Sequence, residues 1–288
     1  MAENIGFDAD GGNGESSQRT GAATENAPQM PASLGVMCKI CDAPSIFFEE
    51  TDVMRKYRAQ YFQCGRCGFI QTEAPHWLEE AYSTAITRSD VGIMQRNLGN
   101  RELTSAVLNL LFPQATNSVD YGAGHGIFVR LMRDRGFDFR WFDRYATNDY
   151  ARGFEYVEGS KVDFLTAFEV LEHLTDPISD LARLMELSDN VFVSTCIVPE
   201  PAPRLSDWWY YAPTTGQHIG FYTLKALEII AVRFGRKLLS NGSYHLFTKE
   251  PKSGALFRLA TRFRAARIVN RAYRRPSLVE ADLQQMTC

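Results

Sequence analysis

The spacing of apolar residues changes period several times along the chain, and each change predicts an element. Leu103, Val107, Leu110 and Leu111 recur at helix spacing inside a segment, 75–112, that reads as helical. An apolar run then reaches Val119 and Asp120, and glycines follow at Gly122, Gly124 and Gly126. Directly after them, Ile127, Phe128, Leu131 and Met132 share one helical face up to Gly136, so this stretch predicts a strand, a tight turn and a helix N-terminus. A short apolar strand over 139–142 ends in Asp143, and a buried strand over 162–168 runs into Glu169, Glu172 and His173. Asp176-Pro177 opens the next helix, the acid as N-cap and the proline at the first helical position. After a strand at 191–194, Thr223 caps a helix carrying Leu224, Leu227, Ile230, Ala231 and Phe234 that stops near Gly235. Two strand-like runs, 237–240 and 243–247, flank Asn241-Gly242, the turn pair of a β-hairpin. Strands alternating with helices predict an α/β fold with a mostly parallel sheet and an antiparallel hairpin at its end.

The glycine loop does not fit the dinucleotide fingerprint. G-x-G-x-x-G counted from Gly122 puts Ile127 at its third place, and counted from Gly124 it puts Val129 there. What stands is D-x-G-x-G-x-G, with an acid ahead of the loop. A carboxylate in that place repels a pyrophosphate and suits an ammonium or a sulfonium. Glycines lack the Cβ atoms that would hold a ligand off the backbone, and the following helix offers unpaired N–H groups. An acid at the tip of the second strand, Asp143, suits ribose hydroxyls.

The segments VDYGAGHGIF, WFDRYA and DFLTAFEVLEHLTDP follow one another in this order. With them the chain resembles the class I S-adenosylmethionine-dependent methyltransferases over roughly residues 100–250. The resemblance implies a Rossmann-like methyltransferase sheet and S-adenosylmethionine as cofactor. It assigns cofactor binding to Asp120, Gly122, Gly124, Gly126, Asp143, Phe168 and Glu169. The terminal hairpin is this family's variant of the sheet. The segment 152–160, where a third strand and its adenine contacts belong, is short and weakly patterned. Tyr82, Arg88, Gln95, Arg96 and Asn97 lie upstream, where related enzymes fold a lid over the cofactor.

Composition narrows the field. With 45% hydrophobic and 23% charged residues, 288 residues suffice for one sizeable core and a small appendage. A formal net charge of -3 gives no overall pull toward nucleic acid, so a small-molecule or glycan substrate is expected and a nucleic-acid partner is not. No apolar run reaches the roughly 18 residues of a membrane span, and the amino terminus lacks an apolar signal core, so a cytoplasmic protein is expected. Residues 1–33, rich in Gly, Asn, Ser and Glu without a period, read as a disordered tail.

Cys38-x2-Cys41 and Cys64-x2-Cys67 have the spacing of a structural, tetrahedral Zn2+ site. Two disulfides are the alternative, disfavoured in a cytoplasmic protein. Strand-like residues at 61–63 and 69–70 frame the second pair. The expected organisation is therefore a small zinc ribbon over 34–74, a methyltransferase domain over 75–250 and a basic tail over 251–288. Cys196, at the end of a strand, reads as a buried free thiol.

Methyl transfer to oxygen or carbon needs a base. His218 is the first candidate and His173 the second, and each also has a purely structural reading. Four consecutive aromatics, 208–211, cannot all face one core from a strand, so Trp209 and Tyr211, with Gln217, are assigned to an acceptor pocket. The ribbon and the segment GQHIGFYTLKAL are similar to methyltransferases of sugar and polysaccharide biosynthesis. Some of those place a Glu-His pair here. Gln217 stands in place of the acid, which favours a hydroxyl acceptor over an enolised carbon.

In the tail, Arg258, Arg262, Arg264, Arg267, Arg271, Arg274 and Arg275 interleave with apolar residues such as Phe257, Phe263 and Val269. This basic helix either rests peripherally on an anionic membrane face or packs on its own domain. Two rival functions remain. One is an RNA methyltransferase whose ribbon grips RNA, favoured by the tail arginines and opposed by the few basic residues in 38–70. The other is a non-catalytic scaffold that keeps the cofactor fold, opposed by the intact Asp120, glycines and Asp143.

Overall fold

The computed structural model describes residues 36–83 and 91–287. The expected tail at 1–33 and the lid candidate Arg88 lie outside the described residues. The chain begins with β1 (Val36–Met37), β2 (Pro44–Val53), β3 (Tyr57–Cys64) and β4 (Ile70–Thr72), all paired antiparallel to their neighbours. Helices α1 (Leu78–Ala81) and α2 (Ile93–Leu111) follow, with Gln95, Arg96 and Asn97 near the start of α2. Next come β5 (Ser118–Tyr121), α3 (Ile127–Asp134), β6 (Phe139–Phe142), β7 (Phe164–Phe168), α4 (Pro177–Leu187) and β8 (Asn190–Ser194). The chain closes with β9 (Gly220–Phe221), α5 (Leu224–Arg233), β10 (Lys237–Ser240), β11 (Tyr244–Thr248), α6 (Gly254–Ala260), α7 (Phe263–Ala272) and α8 (Val279–Thr287).

The main sheet runs β10-β11-β8-β7-β5-β6. Strands β5 to β8 are parallel, and β11 runs antiparallel to both β8 and β10. This is the expected Rossmann-like sheet with its terminal hairpin. The order reverses at β5, whose two neighbours are β6 and β7. The loops leaving the carboxyl ends of β5 and β7 therefore diverge and open a crevice, the place where such sheets bind ligands. The weak third strand is reduced to one parallel bridge, Trp141 to Glu155. Two backbone bonds of 2.8 Å flank it, Trp141 N–H to Phe154 and Tyr156 N–H to Trp141.

Alternating side chains of these strands feed two cores, as pleating requires. Val119, Leu165, Val191 and Phe247 pack with Leu181 of α4 and Leu227 and Ile230 of α5 on one face. Phe139, Phe164, Phe192 and Leu246 pack with Val107 of α2 and Phe128 of α3 on the other. Phe257, Ala260, Ala266 and Val269 belong to that second core, so α6 and α7 do not leave the domain. Helix α8 is pinned to α3 by Asp282, which accepts bonds from Arg133 Nη2 (2.6 Å) and Nε (2.9 Å), both residues buried. The tail arginines thus ride on helices that pack on their own domain. Among the described residues, no helix is long and apolar enough to cross a membrane.

The amino-terminal sheet gains a strand that sequence pattern did not reveal. β9 pairs antiparallel with β4, Ile70 to Phe221 and Gln71 to Gly220. The described residues from 36 onward accordingly belong to one compact unit. Thr223 adds a tie, its hydroxyl donating to the Cys67 carbonyl at 2.5 Å.

Candidate active site

The loop after β5 has the backbone its glycines imply. Gly122, Gly124 and Gly126 have φ of 74°, 54° and 85°, the left-handed region that side chains disfavour. A Cβ at Gly122 would lie 2.7 Å from Val170 Cγ2, and one at Gly126 would lie 2.7 Å from Asn148 Oδ1 and 3.1 Å from the Ala151 Cβ. Two of the glycines are thus required by the packing of the loop itself, besides any approach of a ligand. Gly126 is the N-cap of α3 and offers no side chain to the first-turn N–H groups. Gly126→Ala adds left-handed strain of about 1–2 kcal/mol to that steric conflict. It is expected to weaken S-adenosylmethionine binding by about tenfold or more, read by calorimetry; unchanged affinity would contradict a ligand-binding role for the loop.

Asp143 sits where β6 ends and clamps two loops. Its carboxylate accepts N–H bonds from Gly124 (2.8 Å), Tyr145 (2.7 Å) and Ala146 (2.8 Å). A carboxylate offers about four acceptor sites, so capacity remains for one ribose hydroxyl. Asp120 lies deeper, 4% exposed, and accepts the Thr166 hydroxyl at 2.6 Å. Burial pushes its carboxyl up to about 7; the Thr166 bond opposes this and the charge of Asp143 adds to it. An acid held above its unfolded value contributes most stability in acid, and that contribution is lost as pH rises from about 4 to about 7. Asp120→Asn is therefore expected to stabilise the ligand-free protein at pH 8, by up to about 4 kcal/mol, and to leave it unchanged at pH 4. Thermal melts at the two pH values check this, and equal melting of both proteins at pH 8 would contradict it.

The loop after β7 carries the acids and the histidine. Glu169 takes φ 53° and its Oε1 accepts the Ser194 hydroxyl at 2.6 Å. A 3-10 turn, Leu171–His173, follows. Glu172 is 0% exposed, and neither of its oxygens has a hydrogen-bond partner among the described residues. Burial pushes its carboxyl up to about 8, with the charge of Glu169 adding to the effect.

The two candidate histidines meet beside it, their rings edge to face with centroids 4.9 Å apart. His173 Nδ1 lies 3.0 Å from the Gln217 carbonyl and His218 Nδ1 lies 2.7 Å from the Tyr210 carbonyl. A carbonyl can only accept, so each Nδ1 carries the proton and each Nε2 keeps a lone pair. Burial lowers both histidines below their ordinary range, His173 to about 3 with His218 adding to the effect. Both are neutral at pH 7, as a base or a metal ligand must be. The Tyr82 hydroxyl lies 2.9 Å from His173 Nδ1, and its ring stacks on Tyr145 at 5.4 Å. Tyr82 therefore joins the histidine pair to the loop clamped by Asp143.

The structure places the remaining residues assigned from sequence as follows. Tyr211 is fully buried, packed on Tyr61, Trp208 and Phe221, with its hydroxyl on the Pro203 carbonyl; it is a core residue and lines no acceptor pocket. Gln217 is buried and its amide donates to the Ala81 carbonyl at 2.8 Å, so its side chain anchors α1 and is not offered to an acceptor. Phe168, the last residue of β7, is half-buried and packs its ring on Phe128, Phe192 and Tyr244. Trp209 is 76% exposed, with its ring edge on Tyr210. Cys196 is a half-buried free thiol that burial pushes up to about 11.

Sequence reasoning gave Tyr145 and Tyr210 no role of their own, and Tyr82 only a general place in a lid. Their aromatic type carried no positional signal in the sequence.

The four cysteines converge. One sulfur from each lies within 4.8 Å of the others, Cys38 to Cys67 at 3.6 Å and Cys41 to Cys64 at 3.5 Å. These separations are far beyond a disulfide bond of about 2.05 Å. They suit sulfurs arranged about 2.3 Å from one central Zn2+. Backbone N–H groups of Ile40, Arg66 and Cys67 point at the Cys38 and Cys64 sulfurs from 3.4 Å, as they do at thiolates in metal knuckles. The donor set fits a closed tetrahedral site.

A family profile described as a methyltransferase domain matches residues 94–241, just over half of the chain. No curated protein matches. Solved structures of similar fold include an O-methyltransferase family protein from Burkholderia thailandensis, with 15% identity and a TM-score of 0.46 over 61% of this chain and 62% of that one. TnmH has 18% identity and a TM-score of 0.44 over 61% and 62%. Human N-acetylserotonin methyltransferase in complex with SAM has 15% identity and a TM-score of 0.40 over 61% and 66%. The match thus spans 62% of the length of the first two. By the family match over 94–241, the chain belongs to the methyltransferase-domain family, the S-adenosylmethionine-dependent class that its motifs resemble.

Proposed function

We propose that this chain transfers a methyl group from S-adenosylmethionine to a hydroxyl of a small-molecule or glycan acceptor. The observation that carries this reading is the pair of neutral histidines, His173 and His218, next to the crevice between the β5 and β7 loops. The cofactor supplies a methyl already activated on a sulfonium. The chain's own work is to hold, orient and take a proton. Gly122 to Gly126 and the first turn of α3 receive the amino-acid end, Asp143 receives a ribose hydroxyl, and Asp120 supplies negative charge beneath the loop. His218 Nε2 accepts the hydroxyl proton as the O–C bond forms and the S–C bond breaks, leaving a neutral thioether. Holding donor and acceptor in line can lower the barrier by about 7–11 kcal/mol.

The four cysteines hold a structural Zn2+ in this reading. Its role is mechanical. The sheet it closes takes in β9, which follows His218 by two residues. Ile219 N–H also donates to the Glu172 carbonyl at 2.8 Å. The ribbon therefore fixes the acceptor end of the site.

The test is transfer of a labelled methyl from S-adenosylmethionine to three acceptor pools: sugars and glycans, small phenols, and RNA. Label on a hydroxyl of the first or second pool is expected. Label on RNA, or at carbon, would overturn the hydroxyl assignment, and no label anywhere would favour the scaffold reading.

A further inference from the structure

We infer that Glu172, His173 and His218 form a second metal site, separate from the four cysteines, for a divalent first-row transition cation. Each residue places one ligand atom within 4.8 Å of the other two. Three features point to a cation, each on different atoms. Glu172 is fully buried with both oxygens unpartnered. A buried carboxylate without partners costs several kcal/mol unless a positive charge offsets it. The Thr195 and Tyr210 hydroxyls lie beside it, bonded to each other at 3.2 Å; that bond uses one of their two protons, and the other can turn toward the carboxyl and offset its burial in part. Among the described residues, no Lys or Arg is bonded to it.

The second feature is the outer contact of each imidazole. His173 and His218 both turn Nδ1–H to a backbone carbonyl. That contact is what fixes the ring and tautomer of a metal-binding histidine and raises the basicity of the other nitrogen. It is present at both rings, on carbonyls from different parts of one loop.

The third feature is access. Both histidines are half-buried, whereas Glu172 is fully buried. Two imidazoles and one carboxylate leave coordination positions open for an acceptor oxygen and water. Two nitrogen donors disfavour Mg2+ and Ca2+, which take oxygen shells, and favour Mn2+, Fe2+, Co2+ or Zn2+.

The inference deepens the proposed reading of the acceptor end and rests on it for the cation's role alone. A bound cation would orient the acceptor oxygen and draw off electron density, so that its proton passes to water while the methyl arrives. His218 would then act as a ligand with the lone pair it otherwise uses as a base.

Mn2+ separates this site from the cysteines, because a tetrathiolate prefers softer ions. Mn2+ is titrated into the full chain, zinc-loaded at the cysteines, and followed by the spin-resonance signal of the free ion. Binding of one Mn2+ per chain is expected, weakened at least tenfold in Glu172→Gln and in His218→Gln, and unchanged in Cys196→Ser. Mn2+ should also raise the melting temperature of the wild type and not that of Glu172→Gln. The glutamine variant removes a buried lone carboxyl and keeps its shape, so misfolding does not confuse the result.

Equal binding by wild type and Glu172→Gln, or no binding by the wild type, would overturn the site. The second outcome would leave a protonated Glu172 and His218 as base. S-adenosylmethionine binding, measured on the same samples, reports separately on the cofactor crevice.

Discussion

Cys64→Ser is expected to abolish methyl transfer while leaving most of the affinity for S-adenosylmethionine. Cys64 is the last residue of β3, and its sulfur lies 3.5 Å from that of Cys41. A closed Zn2+ site of this kind contributes an apparent 10–16 kcal/mol, about as much as the whole stability of a typical domain. Removing one thiolate opens the site, and β1 to β4 lose the point that joins them. The cost then reaches His218 through the chain. β9 loses its pairing with β4, the Thr72 N–H loses the Ile219 carbonyl it holds at 3.1 Å, and Thr223 loses the Cys67 carbonyl. The glycine loop keeps its own supports, the pairing of β5 with β6 and the Asp143 carboxylate on the Gly124 N–H, although Val119 of β5 shares a core with Cys38, Cys64 and Cys67. Zinc content, turnover and calorimetry on one preparation check the split. A zinc-free variant with full turnover would show that the ribbon plays no part in the acceptor site.

His218→Ala is expected to lower kcat by about 10²–10⁴ with little change in cofactor affinity. The ring sits on Tyr210 at 4.9 Å and edge to face with His173 at 4.9 Å. Among the described residues it makes no bond to the glycine loop or to Asp143; its Nδ1 holds the Tyr210 carbonyl. Alanine therefore removes the lone pair and leaves the cofactor crevice standing. Single-turnover rates and calorimetric affinity are the readouts. Lost affinity with an unchanged chemical rate would move His218 out of the acceptor end.

The parts of the fold that came through from sequence are those carried by local chemistry. Three glycines at alternate positions have one backbone use in common, and all three take positive φ. Asp176 and Thr223 cap helices with their side chains as expected, accepting from Ser179 and Ala226. Asn241-Gly242 turns the hairpin, with φ 97° at the glycine.

What stayed hidden depends on distant partners. β9 has two residues, too few for a pattern, and it exists because β4 lies alongside, about 150 positions earlier in the chain. The aromatic run was read with strand alternation, but Trp209–Tyr211 form a 3-10 turn. In a turn, neighbours do not alternate, so Trp209 points out while Tyr210 and Tyr211 both point in. The arginines of the tail signalled solvent, yet the small and aromatic residues between them, Phe257, Ala260 and Ala266, fill the core beside α2. Asp282 could not be assigned from its neighbours in sequence, because its partner Arg133 is 149 residues away.

The most direct measurement is a calorimetric titration of the full chain with S-adenosylmethionine and, in parallel, with NAD. The crevice at the reversal point of the sheet, with Asp120 beneath it and glycines at its lip, predicts one cofactor bound per chain, no heat from NAD, and affinity weakened by about tenfold or more in Gly126→Ala. Binding of NAD in place of S-adenosylmethionine, or full S-adenosylmethionine affinity in the alanine variant, would contradict the account.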